Sequence, residues 1–105
     1  MNAVEEVLSA LADPTRRELL ERLAERGCAT ATTLAGELPI SRQAVVQHLA
    51  VLNAVGLVNG RWSGREHRFE VRTERLNETA RWMNDLAVKW DRRLEMIRQI
   101  AESEV

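Results

Sequence analysis

At 105 residues, 45% hydrophobic and 30% charged, the chain is sized for one domain with a modest core and is too apolar for a disordered segment. No uninterrupted apolar run approaches the roughly 18 residues of a membrane span. The MNAVEEVL start carries acids where a secretory leader needs bases. Cys28 is the single cysteine, so no intrachain disulfide can form. These features set the expectation of a soluble cytoplasmic protein that does not engage a membrane. The formal net charge of −1 hides an uneven distribution. Residues 1–40 hold four arginines against seven acids (−3), residues 41–72 five arginines against two glutamates (+3), and residues 73–105 six bases against seven acids (−1). A local basic face suffices for phosphate contact, because screening confines such attraction to about 8–10 Å. A solvated charged face would have the same composition.

In chain order the sequence predicts five helices and one hairpin. Asn2 caps a first short helix, with Glu5 at the reciprocal position and Val4, Val7, Leu8 and Leu11 on its apolar side. Asp13-Pro14 starts the second, with Leu19, Leu20 and Leu23 as its core stripe and Gly27 as its end. Thr30 caps a third helix through Leu38, stopped by Pro39. Ser41 caps the fourth, which runs to Gly56. The third and fourth, joined by Pro39-Ile40, make a helix-turn-helix pair.

The fourth helix, SRQAVVQHL and beyond, divides cleanly at 100° per residue. Val45, Leu49 and Leu52 fall on the buried side, while Gln43, Gln47, Ala50 and Ala54 lie opposite, flanked by Val46 and Arg42. Long polar residues near the N-terminus and small ones toward the C-terminus suit a helix that enters a major groove, where glutamine pairs with adenine and valine meets a thymine methyl. An ordinary amphipathic helix with a polar outer face has the same pattern. His48 sits near the buried edge and reads as a packing or phosphate-facing group.

The next stretch, LVNGRWSGREHRFEV, predicts two strands around a Ser63-Gly64 turn. This register sets Arg61 opposite Glu66 and His67 opposite Gly60, turns Val58, Phe69 and Val71 to the core, leaves Arg65 at the tip and points Arg68 outward. A basic hairpin directly after a recognition helix is the wing of a winged helix, placed to reach phosphates or a minor groove. Arg61 and Arg68 can instead pair with Glu66 and Glu70. From Thr73 to about Ser103 neither proline nor glycine interrupts a helical pattern. Leu76, Ala80, Met83, Ala87, Trp90, Leu94, Ile97 and Ala101 recur at alternating spacings of 4 and 3, a heptad seam in which small residues alternate with bulky ones. Such a helix overhangs a domain of this size, and its exposed stripe predicts a homodimer.

The segments LADPTRRELLERLA (11–24), SRQAVVQHLAVLNAVGLV (41–58) and GREHRFEV (64–71) together resemble the ArsR family of winged helix-turn-helix repressors over nearly the whole chain. The resemblance implies a mainly α fold, α1-α2-α3-α4-β-hairpin-α5, as a single domain over 1–105 with 1–11 and 74–103 as dimerisation helices. It implies a dimer reading an inverted-repeat operator in double-stranded DNA. The DNA-contacting set is then Ser41, Arg42, Gln43, Val46, Gln47, Arg61, Arg65 and Arg68. The interface set is Val4, Val7, Leu8, Leu76, Ala80, Met83, Ala87, Trp90, Leu94 and Ile97. Arg16 and Arg17, in the DPTRR match, call for an anionic partner, an internal carboxylate in preference to DNA.

The sequence also departs from the family. Its metal-sensing members carry two cysteines in the third helix, and these positions fall on Thr30 and Thr32 here, while residues 73–105 lack the histidines of the other family site. The chain therefore resembles the subgroup without those metal sites, and no metal, cofactor or identified effector is expected. Cys28 reads as structural, and Trp82 and Trp90 as core or interface packing. No phosphate loop, nucleophile triad or carboxylate–histidine cluster points to an enzyme. The rival reading is a winged-helix module that dimerises and binds protein rather than specific DNA.

Overall fold

In a computed structural model, which describes residues 2–103, five helices and a small sheet run in the order α1 (Ala3–Leu11), α2 (Pro14–Arg26), β1 (Ala29–Thr30), α3 (Ala31–Ala35), α4 (Arg42–Ala54), β2 (Val58–Ser63), β3 (Glu66–Val71) and α5 (Glu74–Ser103). The predicted caps hold the starts of the first four helices. Asn2 Oδ1 accepts from Glu5 N at 2.9 Å and Asp13 Oδ1 from Thr15 N at 2.8 Å. Thr30 Oγ1 accepts from Thr33 N at 3.2 Å and Ser41 Oγ from Ala44 N at 3.1 Å. Each satisfies a backbone donor that the first helical turn leaves without a partner. Gly27, at φ 84°, closes α2 in a conformation that other residues rarely adopt.

Val7, Leu19, Leu23, Leu34, Val45, Leu49, Leu52 and Leu57 are fully buried and form the centre of one core. The recognition-helix side predicted to be buried is the buried one. Leu38 and Ile40 anchor the turn between α3 and α4 to that core. Arg22 and Arg26 of α2 both pair with Glu37 in the same turn, which fixes the helix-turn-helix pair against α2.

Four predicted details are corrected. The third helix stops at Ala35, three residues before Leu38, and the turn that follows carries Leu38 into the core. Ala29–Thr30 forms a third strand that pairs with β3, giving the order β1-β3-β2. A two-residue strand leaves no periodicity to read. The hairpin turn is Gly64-Arg65, one residue later than predicted, so Arg61 faces Arg68 and Gly60 faces Phe69. Gly64 has φ 62° and no other residue of the turn has positive φ, which a turn of type II′ with glycine first satisfies and a Ser-Gly turn does not. Finally, Val7 is completely buried within its own chain and so belongs to the fold rather than to a subunit interface, while Leu76 packs half-buried on the edge of the same core.

The molecule measures 71 × 25 × 25 Å with a radius of gyration of 19.3 Å. A compact domain of this length would have roughly 13 Å. The excess is α5, which packs on α1 near its start and then projects away from the core.

Candidate nucleic-acid interface

Burial of Val45, Leu49 and Leu52 leaves the opposite side of α4 in solvent, with Gln43, Val46, Gln47, Ala50 and Ala54 all exposed. Ser41 and Arg42 stand at the positive end of this 13-residue helix. Arg42 Nε donates to Thr32 Oγ1 of α3 at 3.0 Å, which directs the guanidinium along the protein surface without neutralising it. Thr32 is a support the sequence reading did not name. Thr30, two residues earlier, caps α3.

The hairpin register divides the wing arginines. Side chains alternate across a strand, so Trp62, His67 and Phe69 share the face toward the core and α4, while Arg61, Glu66, Arg68 and Glu70 share the outer face. Arg61 pairs with Glu70 at 3.2 Å and Arg68 with Glu66 at 3.5 Å. Arg68 also donates to Cys28 Sγ at 3.7 Å. This bond and the Glu66 charge hold its guanidinium still more firmly protonated than usual. Among the described residues Arg65, at the turn, forms no ion pair. It borders a cleft of about 530 Å³ together with Arg42 and Val46 of α4 and Thr32 of α3. The structure thus brings Arg42, Val46 and Arg65 to one cleft, with Ser41, Gln43 and Gln47 exposed in the same N-terminal part of α4, and leaves Arg61 and Arg68 on the other face of the wing, each beside a carboxylate.

A small polar hub ties α4 to the start of α2. Arg16 Nε donates to Ala10 O at 2.7 Å and Arg17 Nη1 to Leu11 O at 2.6 Å, so both arginines cap the carbonyl end of α1. Arg16 also lies 3.5 Å from Asp13, the internal carboxylate, and its Nη1 lies 3.5 Å from His48 Nδ1 of α4. Partial desolvation raises the Asp13 pKa, but the N–H bonds from Thr15 and Arg16 and the Arg16 charge outweigh it and hold the carboxyl below its ordinary value. A lowered carboxylate pKa contributes stability that is complete above about pH 4 and is lost as the pH falls through the lowered value. Asp13→Asn is therefore expected to reduce stability at neutral pH and to reduce it less at about pH 3. Urea midpoints at the two pH values check this.

Beyond Thr79 every described residue of α5 is exposed. Its apolar members include Met83 at 52%, Trp90 at 53%, Leu94 at 58% and Ile97 at 61%, with Ala80 and Ala87 between them. Leu86 and Ile100 widen the same stripe and were not named from the heptad spacing. Trp82 and Trp90 are 45% and 53% exposed, so neither is core within its own chain. Leu8 of α1 is also exposed at 39%, and Val4 is half-buried.

Comparison with known proteins agrees with this geometry. A helix-turn-helix domain model matches residues 11–61, the span from the end of α1 into the wing. The chain is 41% identical over 95 residues to the HTH-type transcriptional regulator Rv2034 of Mycobacterium tuberculosis, covering 90% of this chain and 85% of that protein. It is 29% identical over 85 residues to the transcriptional repressor SdpR of Bacillus subtilis, covering 81% and 93% respectively. A solved structure of an ArsR-like transcriptional regulator from Rhodococcus sp. RHA1 superposes with a TM-score of 0.90 at 46% identity, over 96% of this chain and 92% of that one. A winged helix-turn-helix whose exposed helix and wing flank one basic cleft, with relatives of this kind along nearly its full length, is a DNA-binding regulator of transcription, and the chain belongs to the ArsR-like family.

Proposed function

We propose that this regulator is a repressor that binds an inverted-repeat operator as a homodimer and blocks access to the promoter. The whole chain, 1–105, acts as one domain in this reading, with 1–11 and 74–103 as its dimerisation helices. The observation that carries it is the cleft in which Arg42 and Val46 of α4 stand beside Arg65, which forms no ion pair among the described residues. Gln43, Val46 and Gln47 read base edges in the major groove, Ser41 and Arg42 hold phosphates at the helix N-terminus, and Arg65 takes a phosphate beyond the groove edge. Arg61 and Arg68 contribute long-range charge only, since each already has a carboxylate. Two copies join through Val4, Leu8, Ala80, Met83, Ala87, Trp90, Leu94 and Ile97, with Leu86 added, and present their α4 helices to half-sites about 10 base pairs apart or a multiple of that.

Fluorescence anisotropy against the chain's own upstream DNA, and against fragments enriched from random sequence, tests the reading. A preference of roughly 10³-fold over scrambled DNA is expected. Uniformly weak, sequence-blind binding to every fragment would overturn it in favour of a protein-binding module. Gln47→Ala is expected to relax base preference at one position per half-site, at about 1–3 kcal/mol if the contact is bidentate, which comparison of single-base operator variants measures.

A further inference from the structure

The wing carries an aromatic ladder that a set of polar DNA contacts leaves unused. Trp62 faces His67 across the hairpin. Their rings stack with centroids 4.5 Å apart and planes within 10° of parallel. His67 in turn leans on Phe69, with centroids 4.4 Å apart. The stack depends on a missing side chain. Gly60 lies opposite Phe69, and a Cβ there would come within 2.5 Å of His67 Nε2 and 2.9 Å of Phe69 Cε1. Phe69 packs against the core, so the ladder runs outward from the interior and ends at an indole that is 70% exposed.

An exposed tryptophan held in one orientation differs from one that is merely on the surface. Stacking has already restricted its side chain, so a partner that covers it loses little additional freedom. Trp62 also borders the cleft it shares with Arg42, Val46 and Arg65. Glu66 is the one acid there, against two guanidiniums. A duplex backbone alternates charged phosphates with the apolar faces of its sugars. A cleft that sets an indole among two cations has the same alternation.

We propose that Trp62 is a DNA-contacting residue, its braced indole packing on a deoxyribose of the strand that passes between α4 and the wing, while Arg42 and Arg65 take the adjoining phosphates. The proposal rests on the DNA-binding reading above and assigns it an apolar anchor. A sugar contact releases no counterions, so it strengthens binding without adding to the salt dependence, whereas each phosphate contact adds about one unit to the slope.

The test is anisotropy on one selected operator at several salt concentrations with the full chain and its Trp62→Ala, Trp62→Phe and Arg65→Ala variants. Trp62→Ala is expected to weaken binding at least five-fold, the order of one aromatic contact, with the salt slope unchanged and Trp62→Phe recovering part of the loss. Arg65→Ala is expected to flatten the slope by about one. Trp62→Ala binding within two-fold of the parent while Arg65→Ala binds more weakly would overturn the proposal and leave the DNA reading standing. A Trp62→Ala slope that flattens as in Arg65→Ala would overturn it too, since the change would then act through the wing's charges. Absence of operator selection by the unmodified chain overturns both readings. A second readout is independent of folding defects in the alanine variant. In protein labelled with 5-fluorotryptophan, the resonance that vanishes in Trp62→Phe is expected to shift on addition of operator, and a resonance that stays in place overturns the contact.

Discussion

Replacing both Trp90 and Leu94 with glutamate is expected to leave a folded monomer whose affinity for a full operator falls by at least ~100-fold. Both side chains are more than half exposed, and α5 makes its core contact near its start, through Leu76. The domain core therefore loses nothing directly. What changes is the long exposed stripe. In a lone chain, the segment of α5 past Thr79 is a helix held only by its own backbone and a few intrahelical pairs such as Arg98–Glu95 at 3.0 Å. Such pairs contribute about 0.2–0.5 kcal/mol each, and most helical stability in proteins comes from packing an apolar face rather than from the helix itself. In the proposed dimer, a second copy laid along the stripe would supply the burial that holds it. Two half-sites bound through one dimer act at an effective concentration in the millimolar range, and that linkage disappears in a monomer. Light scattering is expected to report half the parent mass, circular dichroism a loss of helix from the distal part of α5, and anisotropy the drop in affinity. A double variant that keeps the parent mass would remove the seam as the interface.

The parts of this molecule that were legible in its sequence are those fixed by local chemistry. The Asn2, Asp13, Thr30 and Ser41 caps each sit beside the backbone donor they satisfy, so the start of a helix is written in three or four adjacent residues. The buried side of α4 follows from helical periodicity alone, and Val45, Leu49 and Leu52 obey it. The features that depend on pairing were harder. The hairpin register turned on which residue takes the left-handed conformation, and placing Gly64 second in the turn instead of first moved every cross-strand partner. That shift changed the functional reading, because it set Arg61 beside Glu70. It also brought Trp62 and His67 into contact. The strand at Ala29–Thr30 exists only because β3 lies alongside it. Val7 and Leu8 show the same limit on α1: both are apolar and adjacent, yet the first is sealed in the core and the second is 39% exposed. Only the packing of α1 between the core and α5 decides which is which.

The same seam predicts how the two copies of α5 run, and a pair of cysteines reads it. In a parallel pair, like positions share a layer, so Trp90 would meet Trp90 and Ala87 would meet Ala87, alternately crowding and separating the helices. Arg93 would also flank Arg98 of the other copy on both sides, a like-charge contact that disfavours the arrangement. In an antiparallel pair, Ala80 of one copy faces Ile97 of the other, Met83 faces Leu94, and Ala87 faces Trp90. Small residues then meet large ones in most layers. The flanking contacts become Asn84 with Asp91, Asn77 with Arg98, and Leu86 with Arg93, none of them like-charged. Antiparallel pairing is therefore expected, with the two-fold axis passing near residues 88 and 89. In a Cys28→Ser background, Ala80→Cys with Ile97→Cys is expected to oxidise to a covalent dimer, because the two positions meet across the axis. Within one chain they stand 17 residues apart on one helix, about 25 Å, far beyond the 4.4–6.8 Å Cα separation that a disulfide spans. Ala80→Cys alone is expected to stay uncrosslinked, since its counterpart in the other copy is about 25 Å away as well. Efficient crosslinking of the single variant would instead establish parallel helices. That result would place both wings at one end of the dimer and change the half-site spacing at which two copies of α4 can dock.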